Sequence, residues 1–117
     1  MVRFFRATIN SYNGLIFAVR SEQAIREELV ALILSLPAAW LVGATVMRAV
    51  ELVAAVVLVL TVELLNTAIE KLADRLTMDR DPQIGRVKDM GSAAVGVALL
   101  MSLGFWLFAI AERIGAF

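Results

Sequence analysis

Four side chains in one stretch have the types and spacing for acid–base or metal chemistry: Glu63, Asn66, Glu70 and Asp74. At about 100° per residue on a helix they fall within an arc of roughly 80°, so three acids and an amide share one face. The run Leu52 to Val62 that precedes them carries no charge. Glu63 is therefore expected at membrane depth, where a carboxylate without a partner costs several kcal/mol and points to function. For Glu70 and Asp74 a solvated helix face is an equal reading. Glu22 and Glu28 lie before another apolar run, and Lys88 with Asp89 before a third. If these segments pack as a bundle, several carboxylates gather beside basic groups, the inventory for a magnesium-bound polyphosphate. The chain has no cysteine and no histidine, so such chemistry falls to carboxylates, which suit hard cations. Neither a P-loop nor the protein-kinase signatures appear, and phosphoryl transfer here would need another scaffold.

The elements that must position these groups are helices. With 117 residues, 61% of them hydrophobic, the chain reads as one integral-membrane domain. Residues 1–21 place Phe5, Ile9, Tyr12, Ile16 and Val19 opposite Arg3, Arg6, Asn10, Asn13 and Arg20. That spacing predicts an amphipathic helix in the membrane interface, with a possible break at Gly14. The same segment lacks the pattern of a cleavable signal. Ser21 is expected to cap the next helix. Leu29 to Met47 is free of charge, and at 1.5 Å per residue it spans nearly 30 Å, which predicts a first crossing over 22–47 with Pro37 as a kink. A second crossing is expected over 49–76. Measured from Glu51 by helix rise, Glu63 lies about 18 Å further on and Glu70 about 28 Å, just below and level with the opposite headgroups. Asp79, Asp81, Pro82 and Gly85 predict a loop over 77–89. A third crossing over 90–113 begins with Gly91, Ser92, Ala93 and Ala94, small residues that let another helix approach closely.

Three crossings place nine of the eleven basic residues on one side, leaving Arg48 and Arg113 on the other. The positive-inside rule makes the crowded side cytoplasmic, where nucleotides are available. A formal net charge of zero argues against a nucleic-acid partner.

Glu63-Leu-Leu-Asn66-Thr-Ala-Ile-Glu70, then Asp74-Arg75, then Gly85-Arg86-Val-Lys88-Asp89-Met90-Gly91-Ser92-Ala93-Ala94 closely resembles the small prokaryotic integral-membrane diacylglycerol kinases, which include undecaprenol kinases. The similarity takes in Ser21-Glu22 and Arg26-Glu27-Glu28 and spans essentially the whole chain, which starts a few residues later than longer members. It implies an all-α membrane protein of the bacterial inner membrane, a homotrimer whose protomers have a surface helix plus three transmembrane helices and share sites at the cytoplasmic face. It implies ATP as co-substrate, Mg2+ as cofactor and diacylglycerol as the lipid converted to phosphatidic acid. Glu63 would be the general base, and Glu22 and Glu70 the magnesium ligands. Nucleotide would meet Glu22, Glu70, Lys88, Asp89, the loop residues Asp79, Arg80 and Asp81, and Asn10, where the best-known type of member has a tyrosine. Ile16 replaces a commonly basic residue. Arg3, Glu63, Ser92 and Trp106 would contact the lipid, with Asn66 and Glu28 supporting.

Two other readings stand beside this one. Undecaprenol needs the same chemistry on a different lipid alcohol, and a groove shape separates the two. A small oligomeric proton or cation transporter would use Glu63 as a carrier; it would leave the one-sided gathering of Glu22, Glu70, Lys88 and Asp89 without a role.

Overall fold

The computed structural model covers residues 1–117 and contains four helices: α1 (Val2–Ser21), α2 (Gln23–Val42), α3 (Val46–Leu76) and α4 (Pro82–Arg113). Each boundary has a local cause. α1 runs unbroken through Gly14, where the sequence left room for a break, because a helix glycine costs only about 1 kcal/mol against alanine. It ends at Ser21, and the single residue Glu22 turns the chain in extended conformation, φ −127° and ψ 120°. Ser21 is therefore the last residue of α1 and not the cap of α2. Arg26 holds this joint by donating from Nη1 to the carbonyls of Val19 (2.8 Å) and Arg20 (3.2 Å), which the end of α1 leaves without helical partners.

α2 continues past Pro37 and stops at Val42, so the expected 22–47 segment ends short of Met47. Gly43 makes the reversal possible: a Cβ there would lie 2.9 Å from both the Ala39 carbonyl oxygen and the Ala49 nitrogen. Thr45 then caps α3, its Oγ1 accepting from the Arg48 amide at 3.1 Å. The connection after α3 is also shorter than expected. It covers 77–81 and not 77–89, because Asp81 accepts from the amides of Gln83 (2.9 Å) and Ile84 (3.2 Å) with Pro82 in the first turn. An Asp-Pro pair that reads as a turn is here a helix start. Lys88 and Asp89 consequently sit on α4, in its second turn.

Two helices, α3 and α4, are long and apolar enough to cross a membrane. α2 carries Arg26, Glu27 and Glu28 near its start, which leaves Leu29–Val42, about 21 Å by helix rise, as its charge-free part. The helices meet in two small apolar clusters. Ala18, Ile25 and Leu60 join α1, α2 and α3 at one end; Ala39, Leu52 and Ala109 join α2, α3 and α4 at the other. Beyond the second cluster Arg48 bonds Glu112 of α4 (3.0 Å) and Glu51 (2.6 Å), with its guanidinium 4.9 Å from the centre of the Phe108 ring. Only 15 of 117 residues are buried, so outside these clusters much of the apolar surface of α2, α3 and α4 is left uncovered by the chain itself. Replacing Asp81 by alanine is expected to lower stability by about 1 kcal/mol through loss of the α4 cap, while asparagine keeps most of it; equilibrium unfolding in mixed micelles measures both.

Candidate functional site

At the end of the bundle opposite Arg48, the joint between α1 and α2 meets the middle of α3. The Ala18, Ile25 and Leu60 cluster, with Leu64 packed against it, fixes that level. Glu63 is adjacent and half-buried. Glu28, Glu70 and Glu22 all lie within electrostatic reach of it, so acids from the α1–α2 joint, from α2 and from α3 converge on one region. Like charges gathered this way repel, and each needs a compensating contact or an exchangeable proton.

The compensation is uneven. Glu22 is paired with Lys71 of α3 at 2.8 Å, and the same ammonium stands 5.2 Å from the centre of the Phe17 ring of α1. Glu70 accepts a hydrogen bond from Nδ2 of Asn66 at 3.1 Å. Asp74 bonds Lys88 across from α4. Glu63 and Glu28 have neither an ion pair nor a hydrogen bond. Asn66 is buried, and its Oδ1 has no partner.

Metal binding by this set has clear bounds. No three acidic side chains of the chain are grouped tightly enough to hold a cation by themselves. The donors offered are oxygens only, and a magnesium ion commonly takes one or two carboxylates and completes its shell with waters and phosphate oxygens. Glu22 and Glu70 offer two such carboxylates, the first now paired with Lys71 and the second with Asn66.

The other expected site residues are more dispersed. Asp79 and Arg80 are exposed in the connection between α3 and α4, and the Asp81 carboxylate is committed to the α4 cap. Asp89 and Ser92 are exposed on α4. Asn10 and Arg3 lie exposed on α1, about 18 Å and 28 Å from Glu22 by helix rise. Trp106 is half-buried against the Ala39, Leu52 and Ala109 cluster, about 21 Å along α4 from Ser92. The structure does not bring it to Glu63. Sequence reasoning missed Lys71 as a site residue. The available signal was its place one residue beyond Glu70, which turns it about 100° from the acidic face and towards α1. Between these helices lies an open apolar groove of about 460 Å³, bordered by Gly14, Leu15 and Phe17 on one wall and Leu64, Ala68 and Lys71 on the other.

Residues 9–110 match the family described as prokaryotic diacylglycerol kinase. The chain belongs to that family. The diacylglycerol kinase of Escherichia coli K12 is 36% identical over 113 residues, covering 97% of this chain and 93% of that protein. Those of Pseudomonas aeruginosa and Haemophilus influenzae are 38% identical over 104 residues and 34% over 99, covering 89% and 85% of this chain and 85% and 84% of their own lengths. The matched family segment includes Glu22, Glu28, Glu63, Asn66, Glu70, Lys88 and Asp89; Arg3 precedes it. In this member of the family, Lys71 ties α1 to the acidic region both through Glu22 and through Phe17. Lys71→Met should therefore speed backbone hydrogen exchange in α1 and around Glu22 while leaving the α3–α4 contact protected, as mass spectrometry of the micelle-bound protein would read.

Proposed function

We propose that the chain transfers the γ-phosphoryl group of ATP to the primary hydroxyl of diacylglycerol, giving phosphatidic acid and ADP at the cytoplasmic interface. The observation that carries this reading is the gathering of Glu22, Glu28 and Glu70 around a half-buried Glu63 that has no partner of its own, in a chain of the diacylglycerol kinase family. Glu63 accepts the hydroxyl proton as the lipid oxygen bonds to the γ-phosphorus, and the bond from that phosphorus to the β,γ-bridging oxygen breaks to release ADP. A carboxylate free of ion pairs is available for that proton. Glu22 and Glu70 would hold Mg2+, which supplies positive charge against the phosphate oxygens. Asn66 orients Glu70, and Glu28 keeps the region acidic.

Lys88 and Asp89, with Asp79, Arg80 and Asn10, are the groups assigned to the nucleotide, while Asp81 contributes by capping α4 beneath them. Arg3 and Ser92 are assigned to the lipid headgroup side. Trp106 lies too far along α4 for the glycerol and is assigned to the acyl chains. The limited metal-ligand set within one chain supports sites shared between copies, read here as a homotrimer in the inner membrane with α1 at the interface and α2, α3 and α4 crossing.

A phosphate-transfer assay in mixed micelles, run with diacylglycerol and with undecaprenol and with and without magnesium, tests the reading. Diacylglycerol is expected to be the better acceptor and transfer to require the cation; absence of transfer to either lipid would reject it and favour the transporter. Glu63→Gln should lower turnover roughly a hundredfold to ten-thousandfold with the fold retained. Glu70→Gln should shift the magnesium titration to higher concentration, and an unchanged titration would remove Glu70 from the metal site.

A further inference from the structure

Two glycines of this chain have their missing side-chain space taken by a neighbour, Gly43 in the α2–α3 reversal and Gly91 on α4. At Gly91 the neighbour is a functional group. An ideal Cβ there would fall 2.1 Å from Oδ1 of Asn66 and 3.2 Å from its Cγ, so the carboxamide occupies the place of a side chain on α4. Asn66 is 7% exposed, its Nδ2 donates to Glu70 at 3.1 Å, and its Oδ1 is buried without a donor. These facts are linked. An amide has a donor end and an acceptor end, and turning it over would set its oxygen against the Glu70 carboxylate. With Nδ2 on Glu70, Oδ1 must face α4, where only the hydrogen in the Cβ position of Gly91 meets it, a weak contact at best. A buried acceptor left this way is destabilising, and its presence calls for a reason.

We propose that Gly91 is a positioning residue for Glu70: by having no side chain it gives the Asn66 carboxamide the room to keep its Nδ2 on the Glu70 carboxylate. Sliding α4 to admit a side chain at 91 would strain the Asp74–Lys88 pair, which lies one turn from Glu70 on α3 and one turn before Gly91 on α4. The amide is the part that gives way. This deepens, and rests on, the reading of Glu70 as a ligand for magnesium.

The test compares wild type, Glu70→Gln, Asn66→Ala, Gly91→Ala and the double variant Asn66→Ala with Gly91→Ala. Gly96→Ala serves as control, since a Cβ at that α4 position meets nothing within 4 Å. Two quantities are read: the half-saturating magnesium concentration for phosphate transfer, and manganese(II) binding by electron paramagnetic resonance with a non-hydrolysable ATP analogue, which needs no turnover. Gly91→Ala and Asn66→Ala should each weaken both by about tenfold, the lower end for groups that orient metal-bound carboxylates. The double variant should match Asn66→Ala alone, because removing the carboxamide opens the space that the methyl enters. Unshifted cation midpoints in Gly91→Ala, with only the amount of active protein reduced, would overturn the proposal, as would a double variant weaker than Asn66→Ala by a further tenfold. If Gly91→Ala does not fold, the double variant decides: folding restored by Asn66→Ala supports a clash with the carboxamide, and a double variant that also fails to fold overturns the proposal. Wild type without magnesium-dependent transfer overturns the kinase reading and this inference together, whereas normal wild type and a shifted Glu70→Gln beside an unshifted Gly91→Ala overturns the inference alone.

Discussion

Gathering acids next to a membrane is the constraint on which the rest of this structure depends. Each carboxylate moved away from water loses hydration, and each further one nearby adds repulsion. Among the five acids gathered around Glu63 on α3 and at the α1–α2 joint, the chain meets this cost at three: Lys71 answers Glu22, Asn66 answers Glu70 and Lys88 answers Asp74. Each of these contacts is also structural. Lys71 joins α3 to the α1–α2 joint, and Lys88 joins α4 to α3. The residues that make the site electrostatically tolerable are thus the ones that set helix register, and Glu63 and Glu28 remain as the acids without an assigned partner.

The two ends of the bundle solve different problems with similar chemistry. Around Arg48 the charges close on themselves, one guanidinium serving Glu51, Glu112 and the face of Phe108. Nothing there is left unpaired in the way Glu63 is. Such a partly exposed network contributes little net energy, but it fixes how α3 meets α4 at the far end. With that end clamped and Gly43 forcing a tight reversal between α2 and α3, small changes near Glu63 cannot be absorbed by free sliding of the helices.

Much of this was legible in the sequence, for identifiable reasons. Glu63, Asn66, Glu70 and Asp74 share a face because helical periodicity is local, and an acid after an uncharged run stands out whatever surrounds it. Four helices in order were likewise readable from apolar runs and charged borders. The start of α4 was not. Asp81, Pro82 and Gly85 are turn residues and helix-start residues alike, and only the amides of Gln83 and Ile84 on the Asp81 carboxylate distinguish the two. The same ambiguity hid the one-residue joint at Glu22, which Arg26 stabilises from the following helix. Pair identities such as Lys71 with Glu22 depend on how helices distant in sequence are rotated, which no single-helix pattern contains.

Exposure of apolar surface has a further consequence for where the chemistry can be completed. With 15 residues buried, the helices satisfy their backbone polar groups internally but leave their side-chain faces to lipid or to other copies. Lipid covers an apolar face as well as protein does, so burial alone would not favour assembly. The proposed chemistry asks for more: a triphosphate, a cation and a lipid headgroup would require more walls than α1, α3 and the first turns of α2 and α4 supply, and the groove beside Leu64 is open within the chain. A second copy set against that opening would add both the wall and further polar groups, and the uncompensated Glu63 is the group that would gain most from being enclosed.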